Sequence, residues 1–151
     1  MLDAFMLFLT EKNNWILPGG TVLAALAVLD KKRGLWFLGA ALLAVSLSDL
    51  LCHQVLKPWF ARPRPCQELD LVRFAQICAA SFSFPSNHAA NSFTLATLFA
   101  LAYRNSILLV YTLATLVAAS RVYLEVHYPT DVLAGAVCGI LIGYLGFKIF
   151  R

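Results

Sequence analysis

Apolar residues along the 151-residue chain gather into long runs rather than alternating with polar ones. Four runs, at roughly 35–56, 88–103, 106–124 and 131–150, approach the ~20 residues that carry an α-helix across a bilayer. A fifth, roughly 14–30, contains Pro18, Gly19 and Gly20. Pro18 fits the first turn of a helix, where its missing N–H costs nothing, but such a start leaves only a marginal span. Residues 1–12 (MLDAFMLFLTEK) are too short to cross and lack both the basic start and the small-residue cleavage site of a signal peptide, so they predict a helix lying in the interface. The one long connection, about 57–87, places Leu69, Val72 and Ile77 at helical spacing within 67–80 and predicts a second surface-lying helix. Together these patterns predict an all-α polytopic membrane helix bundle of five transmembrane helices plus interfacial helices, forming one integral-membrane domain over 1–151.

Composition excludes the main alternatives. The chain is 60% apolar and 13% charged, against a charged share of about 25% in soluble domains. A protein this small cannot hide so much apolar surface in a water-facing fold. Disorder, collagen and nucleic-acid binding fall as well, because mean hydropathy is +0.74 and the basic residues form no continuous stripe.

The positions of the charges set the orientation. Lys31, Lys32 and Arg33, then Arg104, then Lys148 and Arg151 all fall on one side of a five-span chain. The positive-inside rule makes that side the cytoplasm and puts the N-terminus outside. Lys12, Lys57, Arg62, Arg64, Arg73 and Arg121 fall at the opposite, outer end, an odd place for cations that merely set topology.

Three segments converge there. They are Lys57 to Arg64-Pro65 after the second span, Pro85-Ser86-Asn87-His88 opening the third, and Ser120-Arg121 through His127 to Asp131 joining the last two. A helix N-terminus near Ser86 offers backbone N–H groups and a positive dipole end to an anion. Arg64 and Arg121 can grip phosphate oxygens through two N–H groups each, and Lys57 adds a point charge. His127 precedes Pro129-Thr130, and Asp131 falls in the first turn that follows. A carboxylate placed so can accept the Nδ1 hydrogen and free Nε2 to attack phosphorus, while His88 protonates the leaving oxygen. With cationic side chains to neutralise the phosphoryl charge, no metal or other cofactor is required.

These segments resemble the type 2 phosphatidic acid phosphatase (PAP2) superfamily through K-x6-R-P (Lys57 to Arg64-Pro65), P-S-G-H (Pro85 to His88) and S-R-x5-H-x3-D (Ser120-Arg121, His127, Asp131). Every spacing matches; the single departure is Asn87 where the family commonly has Gly. The resemblance implies a phosphohistidine mechanism with His127 as nucleophile, Asp131 as its orienter and His88 as general acid and later base. It implies that Lys57, Arg64, Ser86, Asn87, Ser120 and Arg121 hold the phosphoryl group. Among bacterial relatives the compact chain and its RPRP segment look most similar to the lipid A 1-phosphatase group, with undecaprenyl-diphosphate and phosphatidylglycerophosphate phosphatases as alternatives. The expected partner is a phosphorylated amphiphile in the bilayer, and the expected setting is the bacterial inner membrane with the active site facing the periplasm. A non-catalytic anionic-lipid binder or transporter is the rival from another class, and the presence of both histidines and the carboxylate argues against it.

Residues outside the motifs carry weaker expectations. Asp49, His53 and Lys57 follow one another at four-residue spacing, which reads as a network on one helix face that orients Lys57. Arg62 reads as an interfacial headgroup contact or a second contact to substrate phosphate, and Glu68 and Arg73 as a solvated face. Trp15, Trp59, Tyr123 and Tyr128 read as an aromatic belt. Cys66 and Cys78 share the outer loop, where an oxidising exterior permits a bridge worth ~3 kcal/mol in the chain-entropy description.

Overall fold

In a computed structural model describing residues 1–68, 74 and 77–150, every regular element among the described residues is helical. Helices α1 (Leu2–Thr10) and α2 (Asn13–Leu29) lead into α3 (Lys31–Leu50), which continues through a π-helical segment, Leu51–Leu56, into α4 (Lys57–Phe60). A short α5 (Pro65–Glu68) lies in the long connection, and α6 (Asn87–Ala102), α7 (Ile107–Tyr123) and α8 (Pro129–Phe150) complete the bundle.

Three stretches, Lys31–Glu68, Arg104–Tyr123 and Pro129–Ile149, are long and apolar enough to cross a membrane. The other two expected crossings are shorter, α2 with 17 residues and α6 with 16, and sixteen residues reach only about 24 Å against a hydrocarbon core of about 30 Å. Pro18 also lies inside α2 rather than in its first turn, since the helix already begins at Asn13. The short α6 is wrapped by protein, with α3, α7 and α8 packed around it, so its length need not match the lipid. On the outside, Leu42, Leu108 and Leu133 remain exposed, as a lipid-facing surface requires.

Small residues set the central contact. Gly135, Gly139 and Gly143 form one stripe of α8 against Ala89, Ala90, Thr94 and Thr97 of α6. A Cβ built at Gly139 would come within 2.2 Å of the Ala90 carbonyl oxygen. Close helix approach of this kind follows from a small-xxx-small spacing, and it clamps the first turns of α6 and α8 side by side. Farther from that end, Phe37, Ala40, Ala41, Ala44, Leu98, Ala102 and Ile142 form the buried core.

The N-terminal residues form the interfacial helix α1, which packs on α7. Tyr123 donates its hydroxyl to Asp3 Oδ1 at 2.6 Å, and Met6 and Leu7 pack against Phe74, Leu124 and Val126. Half of the second interfacial helix expected over 67–80 lies outside the described residues, including Leu69, Val72 and Arg73. Within that connection Cys66 and Cys78 are joined in a disulfide, with Cα atoms 6.0 Å apart.

Candidate active site

The start of α8 fixes the carboxylate. Pro129 opens the helix, where its locked φ suits the first position, and Asp131 reaches back so that its Oδ2 accepts the Tyr128 N–H at 2.9 Å. That is half of a capping box, and it holds Asp131 one turn from His127. His127 Nδ1 lies 3.5 Å from Asp131 Oδ2 and 3.4 Å from Ser83 Oγ, while the Ser83 hydroxyl donates to the same Oδ2. On the other carboxylate oxygen, Arg62 Nη1 donates to Oδ1 at 2.8 Å. Asp131 is fully buried, so these four donors replace its hydration.

The far edge of the His127 ring meets a cation. Arg64 Nη1 is 3.3 Å from His127 Nε2 and donates to the Val126 carbonyl at 3.0 Å. An acceptor Nε2 there, with Nδ1–H turned to Ser83 and Asp131, is the tautomer whose free lone pair can attack an electrophile. Arg64 is anchored elsewhere by the Ser81 carbonyl at 2.7 Å and the Ser81 hydroxyl at 3.0 Å. Lys57 is buried and donates to the carbonyls of Phe82 and Ser83. The segment Ser81–Ser83 is therefore the bracket on which both cations hang.

Ser86 caps α6, and its N–H donates to the Asp131 carbonyl at 3.0 Å, tying the two helix starts together. Its hydroxyl is buried without a partner, and so is Nε of Arg121. Buried polar atoms are ordinarily paired, and orphan donors at the mouth of a cationic cluster ask for an anion. His88, in the first turn of α6, donates an imidazole N–H to the Thr10 carbonyl. Among the described residues no three His, Cys, Asp or Glu side chains gather as metal ligands.

Several expected placements need correction. His53 is exposed and joins neither Asp49 nor Lys57. The π-helical turn at Leu51–Leu56 explains this, because i→i+5 bonding shifts the face and breaks four-residue stacking. Asp49 instead accepts from the amides of Asn87 and Asn91, at 2.9 and 3.3 Å. Arg62, besides its bond to Asp131, donates to Thr130 Oγ1 at 2.7 Å and lies 3.8 Å above the Tyr128 ring. Ser120 gives its hydroxyl to the Val117 carbonyl at 2.7 Å within its own helix. Tyr128 and Glu68, read as belt and solvated face, are joined by a 2.6 Å hydrogen bond. Ser81, Ser83 and Thr10 enter the site without any mark in the sequence, since each contributes through a position that no spacing singles out.

Burial drives the His127 pKa down to about 4; its hydrogen bond to Asp131 opposes the shift, and the charges of Arg64, Arg121 and Lys57 add to it. Between pH 6.5 and about 4 the unfolded chain binds a proton that the native ring refuses, so stability contributed by this residue falls as pH falls through that window. A 15N NMR titration of the imidazoles in detergent checks this. The His127 ring is expected to stay neutral at pH 5, and a midpoint near 6.5 would contradict its burial.

A family model described as the PAP2 superfamily matches residues 34–151. The chain is 29% identical to a lipid A 4′-phosphatase of Porphyromonas gingivalis over 99% of its own length and 66% of that protein's. It is 33% identical to a lipid A 4′-phosphatase of Bacteroides thetaiotaomicron, covering 97% of this chain and 69% of that one. It thus spans about two thirds of each relative. Among solved structures, Aquifex aeolicus LpxE superposes with a TM-score of 0.76 at 28% identity, covering 97% of this chain and 86% of that one.

Proposed function

The chain belongs to the PAP2 superfamily, and on that premise we propose that it is a membrane lipid phosphatase working through a phosphohistidine, with a lipid A phosphate as its preferred substrate. The observation that carries the reading is the pair of buried, unpartnered donors, Ser86 Oγ and Arg121 Nε, beside a neutral histidine already oriented by a buried carboxylate. A binding protein needs the first feature and has no use for the second.

The chemistry balances on these residues. His127 Nε2 attacks phosphorus and forms an N–P bond as the P–O bond to the lipid breaks, and His88 gives the leaving oxygen its proton. Water then attacks the phosphoryl group, passing a proton to His88. The N–P bond breaks, inorganic phosphate leaves and both histidines return to their starting state. Arg64, Arg121 and Lys57 neutralise the charge that builds on the equatorial oxygens, and Arg64 withdraws from Nε2 toward those oxygens as substrate enters. Asn87 stands beside the same helix start with its amide NH2 donating to Asp49.

Relatives named for lipid A, phosphatidylglycerophosphate and undecaprenyl diphosphate define the panel for the test. Two lipid A 4′-phosphatases match over 97–99% of the chain and two undecaprenyl-diphosphatases over 98%, so lipid A leads the panel and undecaprenyl diphosphate is its competitor. The clustering of Lys31, Lys32, Arg33, Arg104 and Lys148 at the other end supports an inner-membrane setting with the site facing the periplasm. Phosphate release by the purified protein in excess chelator, from lipid A labelled separately at its 1- and 4′-phosphates and from the other two lipids, is expected to favour lipid A at least tenfold. Preference for another lipid would overturn the substrate assignment, and release only with added divalent metal would overturn the mechanism.

A further inference from the structure

The carbonyl end of α1 reaches into the site although no family motif includes it. Its last residue, Thr10, makes two contacts there. The Thr10 hydroxyl accepts from Arg121 Nη1, and its carbonyl accepts from the His88 imidazole. Neighbouring carbonyls are already satisfied from the first turn of α2, with Asn14 Nδ2 donating to Phe8 at 2.9 Å and Trp15 Nε1 to Leu9 at 2.9 Å. The end of α1 is therefore held from behind, and Thr10 is the part of it that faces the chemistry.

We propose that Thr10 is a positioning residue that aims the Arg121 guanidinium at the substrate phosphate. A guanidinium is a rigid planar fork, and it grips an oxyanion best through its Nε edge or its terminal edge. Pinning Nη1 on Thr10 leaves the Nε edge for the anion, and Nε is the atom found buried without a partner. Arg64 stands near as a like charge and repels an unpinned guanidinium from the place where both must converge. Thr10 resists that repulsion until phosphate arrives to neutralise it. The His88 contact shows that the same residue abuts the other working side chain, so the site is completed by an interfacial helix outside the three motifs.

This inference rests on the phosphatase reading for its kinetic arm alone. Thr10→Val keeps the shape and removes the hydroxyl, and Thr10→Ser keeps the hydroxyl. Calorimetry with inorganic phosphate and steady-state kinetics on the best lipid are run on both variants and on the parent, with melting temperatures confirming that each is folded. Thr10→Val is expected to weaken phosphate binding about tenfold, the typical loss for a hydrogen bond to a charged group, and to lower kcat/KM at least as much, with Thr10→Ser within twofold of the parent. Folded Thr10→Val protein that binds phosphate within twofold of the parent would overturn the proposal. A parent that binds phosphate yet releases none from any lipid would sink the phosphatase reading, and the calorimetry would still decide the role of Thr10.

Discussion

His127→Ala is expected to abolish phosphate release, a loss of at least about 10⁴-fold in kcat, while leaving inorganic phosphate binding within a few-fold of the parent. The split follows from the division of labour in the site. Cations and orphan donors that would hold the anion come from Lys57, Arg64, Ser86 and Arg121, none of which relies on the His127 side chain for more than one contact. Asp131→Asn tests the orienter. An amide at 131 can turn its NH2 toward Nδ1 and favour the tautomer that carries its proton on Nε2, where the lone pair is needed. It also strands Ser83 and the Tyr128 N–H, which donate to that same carboxylate oxygen now, while Arg62 keeps the other. A loss of about a thousandfold is expected, with phosphate binding again largely kept. Rapid alkaline quench, which the acid-labile N–P bond survives, followed by 31P NMR reads the phosphohistidine directly. Substantial turnover by His127→Ala would place the nucleophile elsewhere, and loss of binding in parallel with loss of turnover would make both residues structural.

How much of the molecule is legible in its sequence depends on what each feature needs. Apolar runs locate the hydrophobic helices, and counting crossings brings Lys57, Arg64, His88, Arg121, His127 and Asp131 to one end of the bundle. Those inferences need only order along the chain. Features that depend on local helix geometry escape such a reading. A six-residue π-helical turn is invisible to a 3.6-residue periodicity, so the Asp49–His53–Lys57 face never forms. Contacts made through main-chain atoms are also out of reach. The carbonyls of Ser81, Phe82 and Ser83 that hold the two cations, like the Thr10 carbonyl on His88, carry no side-chain signature. Arg62 shows a third kind of failure, since its pairing with Asp131 requires the chain reversal through Ala61, whose φ of 44° is left-handed.

The glycine stripe of α8, in contrast, is visible in its four-residue spacing, and it carries the remaining large expected effect. Gly139→Ala should destabilise the protein by about 1–3 kcal/mol, because the added Cβ would sit 2.2 Å from a backbone oxygen of Ala90 and 3.0 Å from Phe93 Cβ. Backbone cannot swing aside as a flexible side chain does, so α6 and α8 must part. Their first turns carry Ser86 and His88 on one helix and Asp131 on the other, joined by the Ser86 N–H to Asp131 carbonyl bond. A shift of ~1 Å between reacting groups costs on the order of a hundredfold in rate, so activity should fall further than stability alone would predict. Gly39→Ala supplies the control, since a Cβ there meets nothing within 4 Å and helix propensity favours alanine by up to about 1 kcal/mol. Melting temperature in detergent and kcat/KM at a temperature where both variants are folded separate the two effects. Equal melting temperatures for the two substitutions would mean that α6 and α8 yield without cost; normal kcat/KM in folded Gly139→Ala protein would mean that their spacing does not set the geometry of the site.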